Sequence, residues 1–297
     1  MSKIMKSKIS KVAALALLGA ACMPASEAGA TAADEVRKAS ERAVTDALAS
    51  ILDDSISKTV EKKHAGMASG GTGFITPAYQ KIKVSFTGAK TDVKVKSILG
   101  GVLFKLNDKL FVGVQASHAD AETELDGVST PDSDINLQTY GITSTLMLSQ
   151  SENFSTWATG KFNYTHVNEK NTTTDVYTAE VGGNMLKNLG GDLSLTAGAV
   201  LDVNQVAGVA PETWTTTFKT GLKYSGEHFQ PVLQASYRMS LEEDASQFFA
   251  IGPDVNWAYG PHKLGAGYSY TTLVSESTGS NIKVDTHDIH ATYRFSF

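Results

Sequence analysis

The chain has 297 residues with 26 Lys and Arg against 31 Asp and Glu, a formal net charge of −5, and 41% hydrophobic residues. An acidic balance without a basic stripe argues against nucleic acid as a partner. Beyond the N-terminal segment no stretch approaches the ~20 continuous apolar residues of a membrane helix.

In chain order, Lys3, Lys6, Lys8 and Lys11 precede the apolar run Val12 to Met23, and Ala28-Gly29-Ala30 fits the small-x-small cleavage rule. Residues 1–30 therefore read as a secretory signal peptide. Cys22 raises the rival of lipoprotein processing, but Gly19 stands where a leucine-like residue belongs. Cleavage after Ala30 leaves 22 basic and 30 acidic residues, a net charge of −8 and no cysteine, so disulfides and thiolate metal sites are excluded.

Residues 31–64 read as one helix. No Gly or Pro interrupts until Gly66, and Val44, Leu48, Leu52, Ile56 and Val60 recur every four residues. At 1.5 Å per residue it would be roughly 50 Å long. The Gly-rich stretch 65–74 reads as a linker.

Residues 75–297 read as strands joined by two alternating kinds of connection. Short ones are expected at Leu106–Lys109, Ser149–Ser155, Lys187–Asp192, Ser225–Gln230 and Ala258–Lys263. Long polar ones are expected at Thr87–Asp92, Ala119–Ile135, Val167–Asp175, Asn204–Glu212, Leu241–Gln247 and Ser275–Asp285. Five short and six long connections link twelve strands, with both ends on the short-turn side, the signature of an outer-membrane barrel with tight periplasmic turns and long outer loops. The first two strands are the hardest to place, because Ser97 to Gly101 interrupts their alternation.

Within strands, Trp214, Thr216, Phe218, Thr220, Leu222 and Tyr224 alternate with Thr215, Thr217, Lys219, Gly221 and Lys223. At the C-terminus Ile289, Ala291, Tyr293, Phe295 and Phe297 alternate with Asp288, His290, Thr292, Arg294 and Ser296. A lipid-facing charge costs about 2–4 kcal/mol at the midplane, so the charged set is expected to line the lumen: Lys81, Lys83, Lys161, Lys219, Lys223, Arg238 and Arg294 against Glu180, Asp202, Asp254 and Asp288. Such an interior could favour small anions or other solutes, hold the acidic positions Asp46, Asp53, Asp54 and Glu61 of the helix, or pair across its own wall. The carboxylates of the Ala119–Ile135 loop match no calcium-loop spacing, so no metal and no cofactor are expected. Ser117-His118 are neighbours and face opposite ways on a strand. His290 reads as part of a lumen network beside Arg294 and Asp288, so no catalytic group is assigned.

The terminal Tyr293, Phe295 and Phe297 resemble the last strand of bacterial outer-membrane barrels, which the barrel-assembly machinery reads. The order of signal, helix, linker and twelve strands over residues 31–297 resembles the translocator domain of autotransporters, in which a helix occupies the lumen of a twelve-stranded barrel. The departure is the passenger, because here the helix follows the signal at once. The resemblance implies an integral outer-membrane β-barrel in contact with outer-membrane lipid, translocator-like or a passive pore. The alternative is a structural or surface-interaction protein with a closed barrel and acidic outer loops. The sequence carries no signal for oligomeric state.

Overall fold

The computed structural model describes residues 70–86, 89–125, 128–129, 135–151, 153–169, 172–207, 213–241, 247–275 and 283–297. The expected signal peptide and helix lie outside the described residues. Thirteen strands follow: β1 (Gly71–Phe86), β2 (Ala89–Lys105), β3 (Leu110–Leu125), β4 (Val128–Ser129), β5 (Ile135–Gln150), β6 (Phe154–Glu169), β7 (Thr172–Gly190), β8 (Leu193–Val206), β9 (Thr213–Tyr224), β10 (Phe229–Ser240), β11 (Gln247–Tyr259), β12 (His262–Ser275) and β13 (Lys283–Ser296). β4 is a two-residue ladder folded back on the end of β3. The other twelve pair with their chain neighbours, and β1 also pairs with β13, so the sheet closes into an antiparallel up-and-down barrel. Closure leaves no edge and gives each long strand a hydrogen-bonded neighbour on both sides, the condition for a sheet to stand in hydrocarbon. The chain ends meet at this seam: Gly71 N–H donates to the Phe297 carbonyl at 2.8 Å, and Phe297 N–H returns a bond to Gly71 at 2.9 Å.

The five short connections fall where the sequence places them, and local chemistry makes them short. Asn107 Oδ1 accepts the N–H groups of both Lys109 and Leu110 at 2.9 Å, tightening the β2–β3 turn. Gly190, Gly191 and Gly260 have φ of 115°, 58° and 57°, which tight reversals require and L side chains resist.

At the other end the strands run further than their sequence suggests. β2 already begins at Ala89, which pairs with Phe86, so most of the expected long connection Thr87–Asp92 is strand, and β3 carries on through Leu125 into the segment expected as an acidic loop. β1 also starts at Gly71, inside the stretch that reads as linker, and β2 passes without a break through Ser97–Gly101. There Gly101 lies beneath the Phe74 ring: a Cβ added at Gly101 would meet the ring at 2.7 Å and the Val114 carbonyl at 2.6 Å.

The physical reason for the longer strands is an inversion of polarity along the wall. In the lower part, Ile75, Ile98, Val114, Ile142, Leu146, Phe162, Val181, Phe218, Leu222, Leu233 and Ile289 face outwards and are 42–58% exposed, while Thr, Gln and Asn face inwards. Near the loop end the faces exchange character. Lys81, Lys96, His118, Asp120 and Glu122 now stand outside. Ile82, Val93, Val95, Ala119, Ala121, Ile135, Leu137, Val167, Val176, Phe248 and Val284 form a buried inner cluster, with Val206 and Leu273 packed against it. Register joins these residues strand to strand, as in Ile82 opposite Val93, Val95 opposite Ala121, Ala119 opposite Leu137, Leu137 opposite Val167 and Val176 opposite Val206. A 16-residue strand is about 50 Å long, well beyond an apolar band of ~25 Å even when tilted. The upper barrel therefore stands in water and is organised as a water-soluble β-protein is, apolar inside and charged outside.

Aromatic residues mark the two levels where the band ends. Tyr164 and Tyr177 pack together at 5.6 Å on the loop side, with Tyr79, Tyr140 and Tyr268 also facing out. On the turn side Phe229 meets Trp257 at 6.0 Å, and Phe295 meets His262 at 5.2 Å and Phe297 at 6.3 Å. These are the two girdles of a membrane barrel.

Two neighbouring positions test the inversion. Ile82→Ala, inside the upper wall, is expected to lower unfolding stability by about 2–5 kcal/mol. Lys83→Ala, on the outside, is expected to stay within about 0.5 kcal/mol of the parent. Urea titration of the barrel refolded into lipid vesicles reads both.

Candidate functional site

The lumen wall within the membrane part is the only surface there shielded from lipid, and the sheet's period of two selects which side chains reach it. Of the eleven residues expected to line it, Lys161, Asp202, Lys223, Arg238, Asp288 and Arg294 are buried on the inner face. Glu180, Lys219 and Asp254 share that face and are half-buried. Lys81 and Lys83 are placed differently. On β1 the inner positions are Phe74, Thr76, Ala78, Gln80 and Ile82, so both lysines stand on the outer wall, and Lys81 pairs there with Asp92 at 2.6 Å. The reason is the inversion: both lysines lie above the apolar band, where an outward charge meets water.

Three lumen groupings carry the charge. Lys161 on β6 reaches Glu180 on β7 at 2.8 Å, and Glu180 lies opposite Asp202 on β8, whose Oδ1 accepts from Asn204 at 3.1 Å. On the other side, His290 on β13 stands between two carboxylates, Nδ1 at 2.9 Å from Asp288 Oδ1 and Nε2 at 3.0 Å from Asp254 Oδ1. Gln80 donates to Asp288 at 2.6 Å and Gln234 to Asp254 at 3.2 Å, so the group ties β10, β11, β13 and β1 across the seam. A carboxylate oxygen thus stands within ion-pair distance of each ring nitrogen. Third, the Arg238 guanidinium lies 4.6 Å over the Phe248 ring, at the part of the apolar cluster's circuit that β9 and β10 leave open.

The His290–Asp254 and Gln115–Asn163 contacts cross an intervening strand, and glycine permits them. Asp254, Gly267 and His290 form one row across β11, β12 and β13. A Cβ on Gly267 would fall within bonding range of Asp254 Oδ1 and collide with His290 Nε2. Gln115 likewise donates to Asn163 at 3.0 Å over Gly141. Sequence reasoning missed Gln80, Gln115, Asn163 and Lys263, all buried on the inner face. Their strand parity was the available signal. The glycines gave none, because a glycine at an inner position looks like a gap in the pattern.

The other histidines sit elsewhere. His118 stands on the outer wall, 3.3 Å from both Asp120 and Asn136. His166 meets Asp175 at 2.7 Å, and the same carboxylate oxygen accepts from Tyr164 at 2.9 Å. Among the described residues no group of three or more His, Cys, Asp or Glu has metal-binding geometry. At the turn end Lys105 lies 2.8 Å from Asp108. Its hydrogen bond, and then its charge, hold that carboxyl below the usual range. Tyr293, Phe295 and Phe297 face outwards at the turn-side rim.

No family model matches the chain, and no curated protein matches it. Solved structures do. The translocator domain of the autotransporter NalP from Neisseria meningitidis aligns over 85% of this chain and 98% of its own, at 11% identity and a TM-score of 0.53. The β domain of the Bordetella autotransporter BrkA aligns over 77% and 100%, at 14% identity and 0.54. An outer-membrane channel from Pseudomonas putida F1 aligns over 78% and 97%, at 11% identity and 0.58.

The lumen groupings predict a stability pattern. Lys161→Met alone removes the cation 2.8 Å from the half-buried Glu180 and is expected to cost about 3–5 kcal/mol. Lys161→Met with Glu180→Leu is expected to recover most of that loss, read as a coupling energy in a double-mutant cycle of vesicle-refolded barrels. The closed twelve-stranded sheet, the lipid-facing apolar band with its two girdles and the fold shared with these structures make the chain an integral outer-membrane β-barrel.

Proposed function

We propose that the barrel is a translocator-like or passive pore whose conductance is governed by the helix read from residues 31–64. The supporting observation is the two-level lumen. Its membrane part is lined by Thr, Gln, Asn and paired charges, and its loop end by a buried apolar circuit on ten of the twelve long strands. A helix entering from the turn side, where Gly71 begins β1, would rise about 1.5 Å per residue. In that placement the stripe Val44, Leu48, Leu52, Ile56 and Val60 would offer an apolar face along the helix, and Asp46, Asp53, Asp54 and Glu61 an acidic one. A wall with both lumen cations and an apolar level suits a helix that carries both. The fold shared with the translocator domain of NalP and the β domain of BrkA supports this reading.

A second reading is favoured by one specific observation. The upper wall has the inside-out polarity of a soluble protein, so it can serve as a surface-exposed, water-facing module with its pore closed by the apolar cluster. In either reading we assign no catalytic step. The ring nitrogens of His118, His166 and His290 face carboxylate or amide partners, which suits support of the wall. We further propose that Tyr293, Phe295 and Phe297 present the assembly signal, since all three face out at the rim where the last strand closes on the first.

Single-channel conductance in planar bilayers tests these readings, comparing residues 31–297 with a chain starting at Gly70. A nearly silent long form beside a conducting short form is the expected result. Equal, sizeable conductance would take the helix out of the lumen. Silence from both folded forms would leave the surface module.

A further inference from the structure

Lys81 and Lys83, displaced from the lumen, belong to a charge pattern on the outer wall. Among the described residues, each outward Lys or Arg in the loop-end half lies on three adjacent strands: Lys283 on β13, Lys81 and Lys83 on β1, and Lys94 and Lys96 on β2. At the corresponding height β5, β6 and β7 present Asn136, Gln138, His166 and Asp175. Set against Asp92 and Asp285 on the same strands, these lysines give a local positive balance in a chain with net charge −5.

The rows of the sheet order the patch by height. The lowest row places Tyr79 beside Lys96 and Ile289, with Ile98 below it, at the upper limit of the lipid-facing band. One row higher, Lys81 lies directly opposite Lys94 on one side and His287 on the other. The row above brings Lys83 between Asp92 and Asp285. Like charges directly opposite each other on one sheet face are destabilising. The carboxylates that offset them sit one row nearer the loops: Asp92 bonds Lys81 at 2.6 Å, and Glu122 bonds Lys96 at 3.3 Å. Going outwards from the bilayer, Lys96 joins the aromatic row and lies opposite Asp120, the next row holds Lys81 and Lys94 with Glu122 on β3, and the row above sets Lys83 between Asp92 and Asp285.

We propose that this face of β13, β1 and β2 docks a phosphorylated glycolipid of the outer leaflet. Its acyl chains lie along Ile75, Tyr79 and Ile98, and a headgroup phosphate sits against Lys81, Lys94 and Lys96. The positive balance of these strands, and the position of the lysines in the row of Tyr79 and the row above it, where a headgroup phosphate lies, select this occupant. The site flanks the β1–β13 seam, so a bound lipid bridges the two strands that close the barrel. The proposal rests on the loop end lying in the outer leaflet.

Native mass spectrometry of the full barrel, released from nanodiscs holding bisphosphorylated lipid A, dephosphorylated lipid A or phosphatidylglycerol, tests it. The wild type is expected to retain the bisphosphorylated lipid, and the triple variant K81Q/K94Q/K96Q to retain it roughly ten- to a hundredfold less, with the turn-end control K109Q/K187Q unchanged. K81R/K94R/K96R is expected to keep it. Equal retention by wild type and triple variant, or of lipid A with and without its phosphates, would overturn the site. Phosphatidylglycerol held as tightly through the same lysines would overturn the choice of glycolipid. Placement is read separately, because Cys22 is the chain's single cysteine and lies in the expected signal peptide. A Lys83→Cys variant labelled by an impermeant maleimide on intact cells puts the loop end outside. Labelling of Lys109→Cys instead would overturn the placement itself.

Discussion

Backbone amides and carbonyls within hydrocarbon have only each other to bond, and this one constraint organises the protein. It forces the sheet to close, which brings β1 against β13 and the C-terminal Phe297 against Gly71. Closure then makes the wall's two faces inequivalent. One meets lipid and one meets a confined interior, and the alternation of each strand is read against that difference. A charge that is costly on one face becomes the natural lining of the other, provided a partner is near. Lys161 with Glu180, and His290 with Asp254 and Asp288, are that provision.

The same reasoning explains why the wall inverts. Above the girdle the outside is water, so the cost of an outward charge vanishes and the cost of an outward isoleucine appears. The strands continue upwards because inward Ile82, Val93 and Val95 gain by packing together, each worth about 1.5–3 kcal/mol when fully buried. The barrel is thus a membrane protein below and, by its side-chain logic, a soluble one above. Its lysines on β1 and β2 stand at the join, where a phosphate-rich layer meets both.

Inside the lower barrel, spacing between long polar side chains is set by glycine. Gly141 under the Gln115–Asn163 bond and Gly267 between Asp254 and His290 are one device used twice, a missing side chain on the middle strand that lets its neighbours meet. It turns pairwise cross-strand contacts into links spanning three strands, which stiffens a wall that has no layer packed behind it. The polar links fall where a solute or an inserted helix would touch the wall.

The sequence by itself determined the class, the number of long strands, the position of the five tight turns and the inward face of β6 to β11 and of β13. Each of these follows from a period of two read against one fixed rule, apolar to lipid. It determined the inward direction of Lys161, Asp202, Arg238 and Arg294 for the same reason. That rule holds only inside the bilayer, and a single chain does not mark where the bilayer stops. Hence Lys81 and Lys83 read as lumen residues, and Asp120 and Glu122 as loop, until the register of β1, β2 and β3 placed them on an outer wall in water. Tertiary structure also decided the lumen's chemistry. Asp254 and His290 are far apart in the chain and on strands that are not neighbours, and only the barrel's curvature and the notch at Gly267 bring them together.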